Sequence, residues 1–431
     1  MDVDVVVGAG VIGASVALEL ARCGRDVVVV DKAGGVGHGS TSSSSAVVRF
    51  NFSTRAGVAT AWESQHCWQH WGEHLGCDVG ELVRFERCGL AMLDVELAPR
   101  AAYVNLFDEI GVAYEEWDST TLRSRIPGID AGRHWPPKPI NDERFWDDPT
   151  DQLGAVYTPD AGYIADPQLA TQNLATAATH HGAQFRLRTA VVGIDTADRR
   201  VTGVRLDDGS TIACRTVVNA AGPWSGALNR LAGVGSDFTI GLRPLRQEVA
   251  YATAPAGFSP PGSPGISIAD MDLGTYLRGE LGGGLLIGGT EPECDPLHWL
   301  DDPDQAHPHP TAAVFDAQVT RAARRLTELA VPSRPRGVVG VYDVTDDWTP
   351  IYDRTELDGF YVAIGTSGNQ FKNAPLAGKF LTTIIEHVED GHDHDARPVQ
   401  FVGRHTGHTI DLGAFSRRRK LNTGTSGTVM G

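Results

Sequence analysis

Val3-Asp4-Val5-Val6-Val7-Gly8-Ala9-Gly10-Val11-Ile12-Gly13 is the stretch that decides the fold. It runs on through helical spacing to Cys23 and then into Val27-Val28-Val29-Val30-Asp31-Lys32. The first valines read as a short buried strand. Ile12, Val16 and Leu20 fall on one face of a helix from Val11 to Cys23, Gly24 is placed to cap it, and Val27–Val30 reads as a second buried strand. This is a βαβ unit of about thirty residues. Gly8 permits the tight turn after the strand, Gly10 lets backbone approach a pyrophosphate, and Gly13 lets helix and strand pack closely. The helix start offers free N–H groups and a positive dipole end to that phosphate. Asp31 ends the second strand eighteen residues after Gly13, where a carboxylate accepts hydrogen bonds from ribose hydroxyls. The same carboxylate disfavours a 2′-phosphate, so NAD or FAD is expected rather than NADP.

Beyond this unit the chain does not continue as a plain NAD dehydrogenase, which would soon repeat the βα pattern. Gly39-Ser40-Thr41-Ser42-Ser43-Ser44-Ser45-Ala46 and Val47-Val48-Arg49-Phe50 follow instead. Small hydroxyl residues there can donate to a pyrophosphate and open a second helix beneath a flat ring. Residues 59–76 read as a helix rich in Trp and His, and 130–150 as an irregular excursion rich in Pro, Trp and Asp. Asp166-Pro167 is a helix start, with Asp as N-cap and Pro at the first helical position, and that helix stops at Gly182. Strands are expected at 190–194, 201–206 and 217–221, antiparallel strands at 241–252 and 275–290, and a buried strand at 360–364 before a helix from Pro375 to His387. The Gly/Thr/Ser-rich tail from Asn422 is expected to fray.

The chain has 431 residues, 41% of them hydrophobic and 21% charged, enough apolar side chain for two or three packed domains. A formal net charge of −17 excludes general nucleic-acid binding and disfavours an anionic membrane surface. Only five of the 37 basic residues are lysines, so each lysine is a more pointed signal than each arginine. The six cysteines form no CxxC pair, which argues against a zinc ribbon or a disulfide framework. The apolar run from Val5 to Leu18 is too short to span a bilayer, and no basic segment precedes it. A reduced, cytoplasmic protein is expected. His66, His70 and His74 are spaced i, i+4, i+8, but eight residues of helix rise about 12 Å, too far for one ion. No metal site is expected, and the alternation with Trp68 and Trp71 reads as a packed helix.

GAGVIG…VVVVDK, GSTSSSSAVVRF, VVNAAGPWSG and GTSGNQFKNAPLAGK, in that order, resemble the D-amino-acid-oxidase-type flavoproteins. The resemblance is strongest to the sarcosine oxidase, glycine oxidase and dimethylglycine dehydrogenase branch and runs from Val3 to about Glu386. It implies an α/β fold: a Rossmann-like FAD-binding domain assembled from residues 1–90, 150–225 and 335–390, and a substrate domain with a mixed antiparallel sheet and helices from 91–149 and 226–334. Residues 391–431 are then a C-terminal tail. Carried over by position, Val11 and Ile12 line the pyrophosphate, and Asp31 with Lys32 the ribose. Ser40, Thr41, Ser42, Ala46, Val47 and Val48 lie along the pyrophosphate and isoalloxazine. Val191 meets the adenine through its backbone, and Ala221, Gly222 and Trp224 form a second glycine turn. Gly365, Thr366, Ser367, Gly368, Asn369, Gln370, Phe371 and Lys372 wrap the pyrimidine side of the flavin.

For catalysis the resemblance implies that Arg49 and Lys372 grip a substrate carboxylate, with Tyr342 and Tyr276 at pocket positions that can hydrogen-bond the substrate. Two departures stand out. Gly340 occupies the place of the cysteine that carries flavin covalently in monomeric sarcosine oxidases, so FAD is expected to be non-covalent. Leu286 occupies the place of a lysine that promotes reaction with oxygen, so oxygen or another electron acceptor remains open. The arginine that the glycine-oxidase pattern places at Gly368 is also missing. The activity implied is oxidation of the C–N bond of an amino acid or N-methyl amino acid by hydride transfer to flavin. Its alternatives are a dehydrogenase of a 2-hydroxy acid or primary amino acid and a flavin-bearing subunit that acts by binding partners. The small-molecule substrate is then an amino acid or amine, and an oligomer is compatible with this reading.

Overall fold

The computed structural model describes residues 3–431; residues 1 and 2, at the head of the expected first domain, lie outside the described residues. Strand β1 (Val3–Val7), helix α1 (Val11–Arg22) and strand β2 (Asp26–Val30) form the expected βαβ unit. β1 and β2 pair in parallel, Val5 opposite Val28. Gly24 closes α1 at φ +77°, a backbone conformation that suits glycine.

A six-stranded sheet grows from this pair in the order Ile351–Arg354, Phe360–Ile364, Thr216–Asn219, β1, β2, Gln184–Arg186. All neighbours are parallel except the edge strand Ile351–Arg354. Sequence-distant segments therefore converge on one Rossmann-like sheet, whose strands carry the apolar runs of a sheet covered on both faces. α1 was expected to bury one face, yet it is buried almost all round, from Val11 to Leu18. The reason is tertiary: it packs against the sheet and against the helices Pro167–His180 and Ala374–Glu389. At that crossing a Cβ on Gly378 would stand 2.3 Å from the Ser15 carbonyl oxygen.

A second, nine-stranded sheet is antiparallel apart from the pairing of Leu90–Leu93 with Ser267–Asp270. Its long strand Leu242–Thr253 pairs with Gly284–Gly289 on one side and with Gly337–Thr345 on the other. The sequence expectation places residues 335–390 with the first sheet. The strand Gly337–Thr345 hydrogen-bonds into the second sheet, and the chain crosses to the first at Ile351. That crossing brings the two sheets together at the site described below.

Two local expectations are corrected. The Trp/His-rich helix begins at Arg55, where Thr54 accepts a hydrogen bond from the Gly57 N–H at 3.1 Å, and it breaks at His70 before resuming at Trp71–Leu75. The break turns the histidines apart. His66 and His70 stack on His405, whereas His74 stacks on Trp71. The tail does not fray either. Arg417 is fully buried among Asp237, Asp353 and Asp395, and Arg419 binds Asp347. Thr428, Val429 and Met430 are buried as well. Glycine and threonine content signals flexibility only where nothing anchors the backbone; here four carboxylates do.

Candidate active site

Two adjoining cavities lie where the parallel sheet ends. The larger, about 340 Å3, is lined at one end by Gly8, Gly10, Val11 and Ile12, and along its length by Asp31, Ser40, Thr41 and Val191. Ala221, Gly222 and Trp224 close its other wall, and Thr366, Gly368, Gln370 and Phe371 its inner end. Gly8 sits at φ +111°, and a Cβ there would stand 2.2 Å from the Ala220 carbonyl oxygen. A Cβ on Gly13 would stand 1.9 Å from the Gly8 oxygen. These two glycines are therefore fixed by backbone-to-backbone approach, while Gly10 faces the cavity. No side chain caps α1 at Gly10, and the Val11 N–H donates to Thr41 Oγ1 at 3.2 Å, so the Ser-rich loop meets the helix start. Asp31 accepts from the Ala9 N–H at 2.6 Å and the Ala33 N–H at 2.7 Å. Each carboxylate oxygen retains a lone pair for a further donor. The glycine cradle, the uncapped helix start and the acid on β2 fit the diphosphate and ribose of a dinucleotide.

Lys32 also lines this cavity, but its ammonium pairs with Asp304 at 2.6 Å and lies 4.1 Å from the centre of the Trp224 ring. Trp224 donates to the same Asp304 at 3.1 Å, so these three side chains meet at the cavity rim.

Gly13, Ser42, Val48, Gly365 and Ser367 stand outside both cavity walls. Ser42 is exposed and donates to the Gly39 carbonyl, and Val48 pairs with Gly162 in a small sheet. Gly365 and Ser367 shape the turn after the strand Phe360–Ile364. The Gly365 N–H donates to Asp343 at 2.7 Å, and the buried Ser367 hydroxyl donates to the Gly365 carbonyl. Asp343 also accepts from the Thr366 hydroxyl, and burial holds its carboxyl above the ordinary range. Sequence reading missed Asp343. Its signal, an acid inside an otherwise apolar strand, is visible only once Gly365 is known to stand opposite.

The smaller cavity, about 60 Å3, adjoins the first at Tyr342, Gly368 and Phe371 and brings together Ala46, Val47, Arg49, Tyr276, Asn369 and Lys372. Arg49 is 4% and Lys372 2% exposed. The Arg49 guanidinium and the Lys372 ammonium lie 5.0 and 5.1 Å from the ring centre of Phe52. Arg49 donates to the carbonyls of Asn51 and, at 2.6 Å, Val429; Lys372 donates to the carbonyl of Asn369. Burial pushes the Arg49 guanidinium down to about 9, with Glu291 opposing the shift. Burial and the neighbouring Arg49 hold Lys372 well below the ordinary lysine range. Among the described residues no carboxylate bonds to either member of this desolvated pair, so an anion entering the cavity relieves both.

Tyr276 hydrogen-bonds Ser45 at 2.7 Å, and burial raises both Tyr276 and Tyr342, which keeps their hydroxyls neutral. The Tyr342 ring lies on Gly368, where a Cβ would stand 2.3 Å from it. That contact explains physically why no arginine occupies position 368. Gly340 lies in the strand Gly337–Thr345 and Leu286 in Gly284–Gly289, opposite Tyr251 and Arg278; neither lines either of these two cavities. Glu291, Val429 and Met430 had no sequence signal; they reach the site through chain crossings. Among the described residues, Glu63, Cys67 and His405 offer ligand atoms within 4.8 Å of one another. The Glu63 carboxylate is already occupied there by the backbone N–H groups of His405 and Thr406.

A parallel sheet whose glycine turns open onto a dinucleotide-sized cavity defines a Rossmann-type nucleotide-binding protein. The chain belongs to the family described as DAO, FAD dependent oxidoreductase, whose sequence model matches residues 5–384. It is 27% identical over 433 residues to 4-methylaminobutanoate oxidase (formaldehyde-forming) of Paenarthrobacter nicotinovorans, covering 97% of this chain and 48% of that protein. The chain thus spans about half the length of that relative. It is 26% identical to glycine oxidase of Geobacillus kaustophilus (strain HTA426), covering 90% of this chain and 94% of the relative. The fold is shared with L-proline dehydrogenase from P. horikoshii, at a TM-score of 0.75, 22% identity and 97% coverage of both chains. Among the described residues no helix is long and apolar enough to cross a membrane.

Proposed function

We propose that this chain oxidises the C–N bond of a small amino acid or N-methyl amino acid, with FAD bound non-covalently. The observation that carries the reading is the pair Arg49 and Lys372. These two cations, far apart in sequence, are both buried in one cavity beside the nucleotide cavity. FAD, when bound, accepts the hydride from the substrate carbon that bears nitrogen. The chain's own residues bind, orient and set the protonation state. Lys372 and the donors left on Arg49 hold the substrate carboxylate and so fix which C–H bond faces the ring. Among the described residues no carboxylate lines the smaller cavity, so a substrate ammonium there has Arg49 and Lys372 for neighbours and no side-chain anion in the wall. That arrangement favours loss of the amine's proton, and only the neutral amine's electron pair drives hydride departure. The carbon loses a hydride, the nitrogen loses a proton, and the resulting imine is hydrolysed by water.

Tyr276 and Tyr342 keep their protons and donate or accept as neutral hydroxyls. No cysteine lines either cavity among the described residues, so a thioether to the flavin has no partner in their walls. The test is anaerobic mixing of the purified yellow protein with amino acids, N-methyl amino acids and 2-hydroxy acids. Bleaching by an amine is expected. Bleaching by hydroxy acids alone would transfer the reading to C–O oxidation, and bleaching by none would favour a role in binding partners. Acid precipitation is expected to leave the flavin in the supernatant; flavin in the pellet would overturn the non-covalent reading.

A further inference from the structure

The buried end of the tail has a definite place. Val429 and Met430 form part of the wall of the smaller cavity. The Val429 peptide is held from both sides: its N–H donates to Glu291 Oε2 at 2.7 Å, and its carbonyl accepts from Arg49 Nη2 at 2.6 Å. The other Glu291 oxygen accepts from Gln247 Nε2 at 2.8 Å. Glu291 itself stands at φ +47°, an unfavourable conformation for a residue with a side chain, and such conformations gather at functional sites. The approach of the tail is fixed as well. Asn422 donates to Ser53 Oγ at 3.0 Å, and Arg419 binds Asp347 at 2.7 Å. Gly431 lies against Phe52, the ring that also faces Arg49 and Lys372. A segment anchored at this many points is a wall, not a transient visitor.

We infer that Glu291, acting through the Val429 peptide, positions Arg49 and closes the substrate cavity at a size that admits only small amino acids, with Met430 setting the limit. Glu291 does not line the cavity; it is a positioning residue. Val429 consumes one guanidinium donor and Asn51 another. Three of the five N–H groups remain for a substrate carboxylate, in an orientation fixed by those two carbonyls. The space left, about 60 Å3, holds roughly four to six water-sized groups at ~10–15 Å3 each. A glycine-sized molecule fits; a long side chain meets Met430.

This inference rests on the reading of the cavity as the substrate site, and the experiment separates the two. Unbranched carboxylates from acetate to pentanoate carry no amine to oxidise and report binding alone. They are titrated into the FAD-loaded protein and followed by the flavin's visible spectrum and by calorimetry. In the wild type, affinity should fall as the chain lengthens. Met430→Ala should move that fall to longer acids, improving pentanoate binding about tenfold. Glu291→Leu should weaken acetate about tenfold by releasing Arg49, whereas Glu291→Gln, which keeps an acceptor for the Val429 N–H, should stay near wild type. An unchanged length profile in Met430→Ala, or wild-type acetate affinity in folded Glu291→Leu, overturns the inference. If Glu291→Leu fails to fold, the Met430→Ala profile decides. Carboxylates graded by Met430 with no amine bleaching the flavin would uphold the wall and remove the amine-oxidation reading. No carboxylate binding at all would remove both.

Discussion

Trp68 donates from its indole Nε1 to the carbonyl oxygen of Lys372 at 2.7 Å, and its ring lies parallel to that of Phe371, with centroids 5.9 Å apart. The aromatic helix Arg55–Gln69, which packs against the helix Ala374–Glu389, thus holds the backbone of one of the two buried cations. Trp68→Phe keeps the stacking and removes the donor. It leaves a buried carbonyl unsatisfied, a loss of about 1–3 kcal/mol. Acetate affinity is expected to fall with flavin content unchanged, measured by flavin difference spectra and by the absorbance ratio of the purified protein. Equal loss of flavin would show that Trp68 supports the cofactor cavity instead.

Lys372→Met keeps chain length and removes charge. Binding of a carboxylate should weaken by about 2–5 kcal/mol. The pH dependence follows from the lysine's depressed state. In the free protein Lys372 has already lost its proton well below the ordinary value of 10.5, and a bound carboxylate restores it. Acetate binding therefore takes up a proton and weakens as pH rises through that window. Glu291, raised to about 8 by burial, adds a charge near Arg49 and acts in the same direction. The Lys372→Met protein should keep only the Glu291 part. Calorimetry in two buffers of different ionisation enthalpy measures the uptake, and equal uptake in both proteins would remove Lys372 from the carboxylate site.

Gly8→Ala places a Cβ 2.2 Å from the Ala220 oxygen at a φ that L residues avoid. Neither strand end can yield without breaking the parallel ladder. A loss of about 1–3 kcal/mol or more is expected, with weakened FAD retention, read by thermal unfolding and by flavin fluorescence released on dialysis. Full FAD occupancy in the variant would refute the tight-turn account.

Arg417→Met removes the cation shared by Asp237, Asp353 and Asp395; the first and last keep Arg418, but the fully buried Asp353 loses its arginine. Destabilisation of about 3–5 kcal/mol is expected. Because the same tail carries Val429, acetate affinity should drop too, whereas Arg418, half-exposed on the same aspartates, should tolerate change. Denaturant titration together with acetate titration checks both. A stable variant with intact binding would separate the tail's anchor from the cavity.

The nucleotide half of the site was legible because its demands are mostly local. Gly13 packs on Gly8 and Asp31 accepts from Ala9 and Ala33, all within or next to one βαβ unit, and the glycine spacing states this directly, whereas the backbone that presses on Gly8 belongs to Ala220, at the end of a distant strand. Arg49 and Lys372 could be singled out only through resemblance, since a lone cation in a sequence carries no sign of burial. Lys32 shows the converse: its neighbour Asp31 lines the larger cavity and binds local backbone, but the Lys32 ammonium turns to Asp304, 272 residues away.

By itself the sequence determined the βαβ start, the helix caps at Asp166 and Gly24, and the family to which the chain belongs. These follow from propensity, turn chemistry and short-range spacing, which act over a few residues. Only the tertiary structure decided that Glu291, Val429 and Arg49 meet, that a Gly/Thr-rich tail is buried, and that the Trp/His helix breaks at His70. Those outcomes depend on contacts between segments far apart in the chain. Their stability comes from desolvation and shared hydrogen bonds, which no local window of sequence contains.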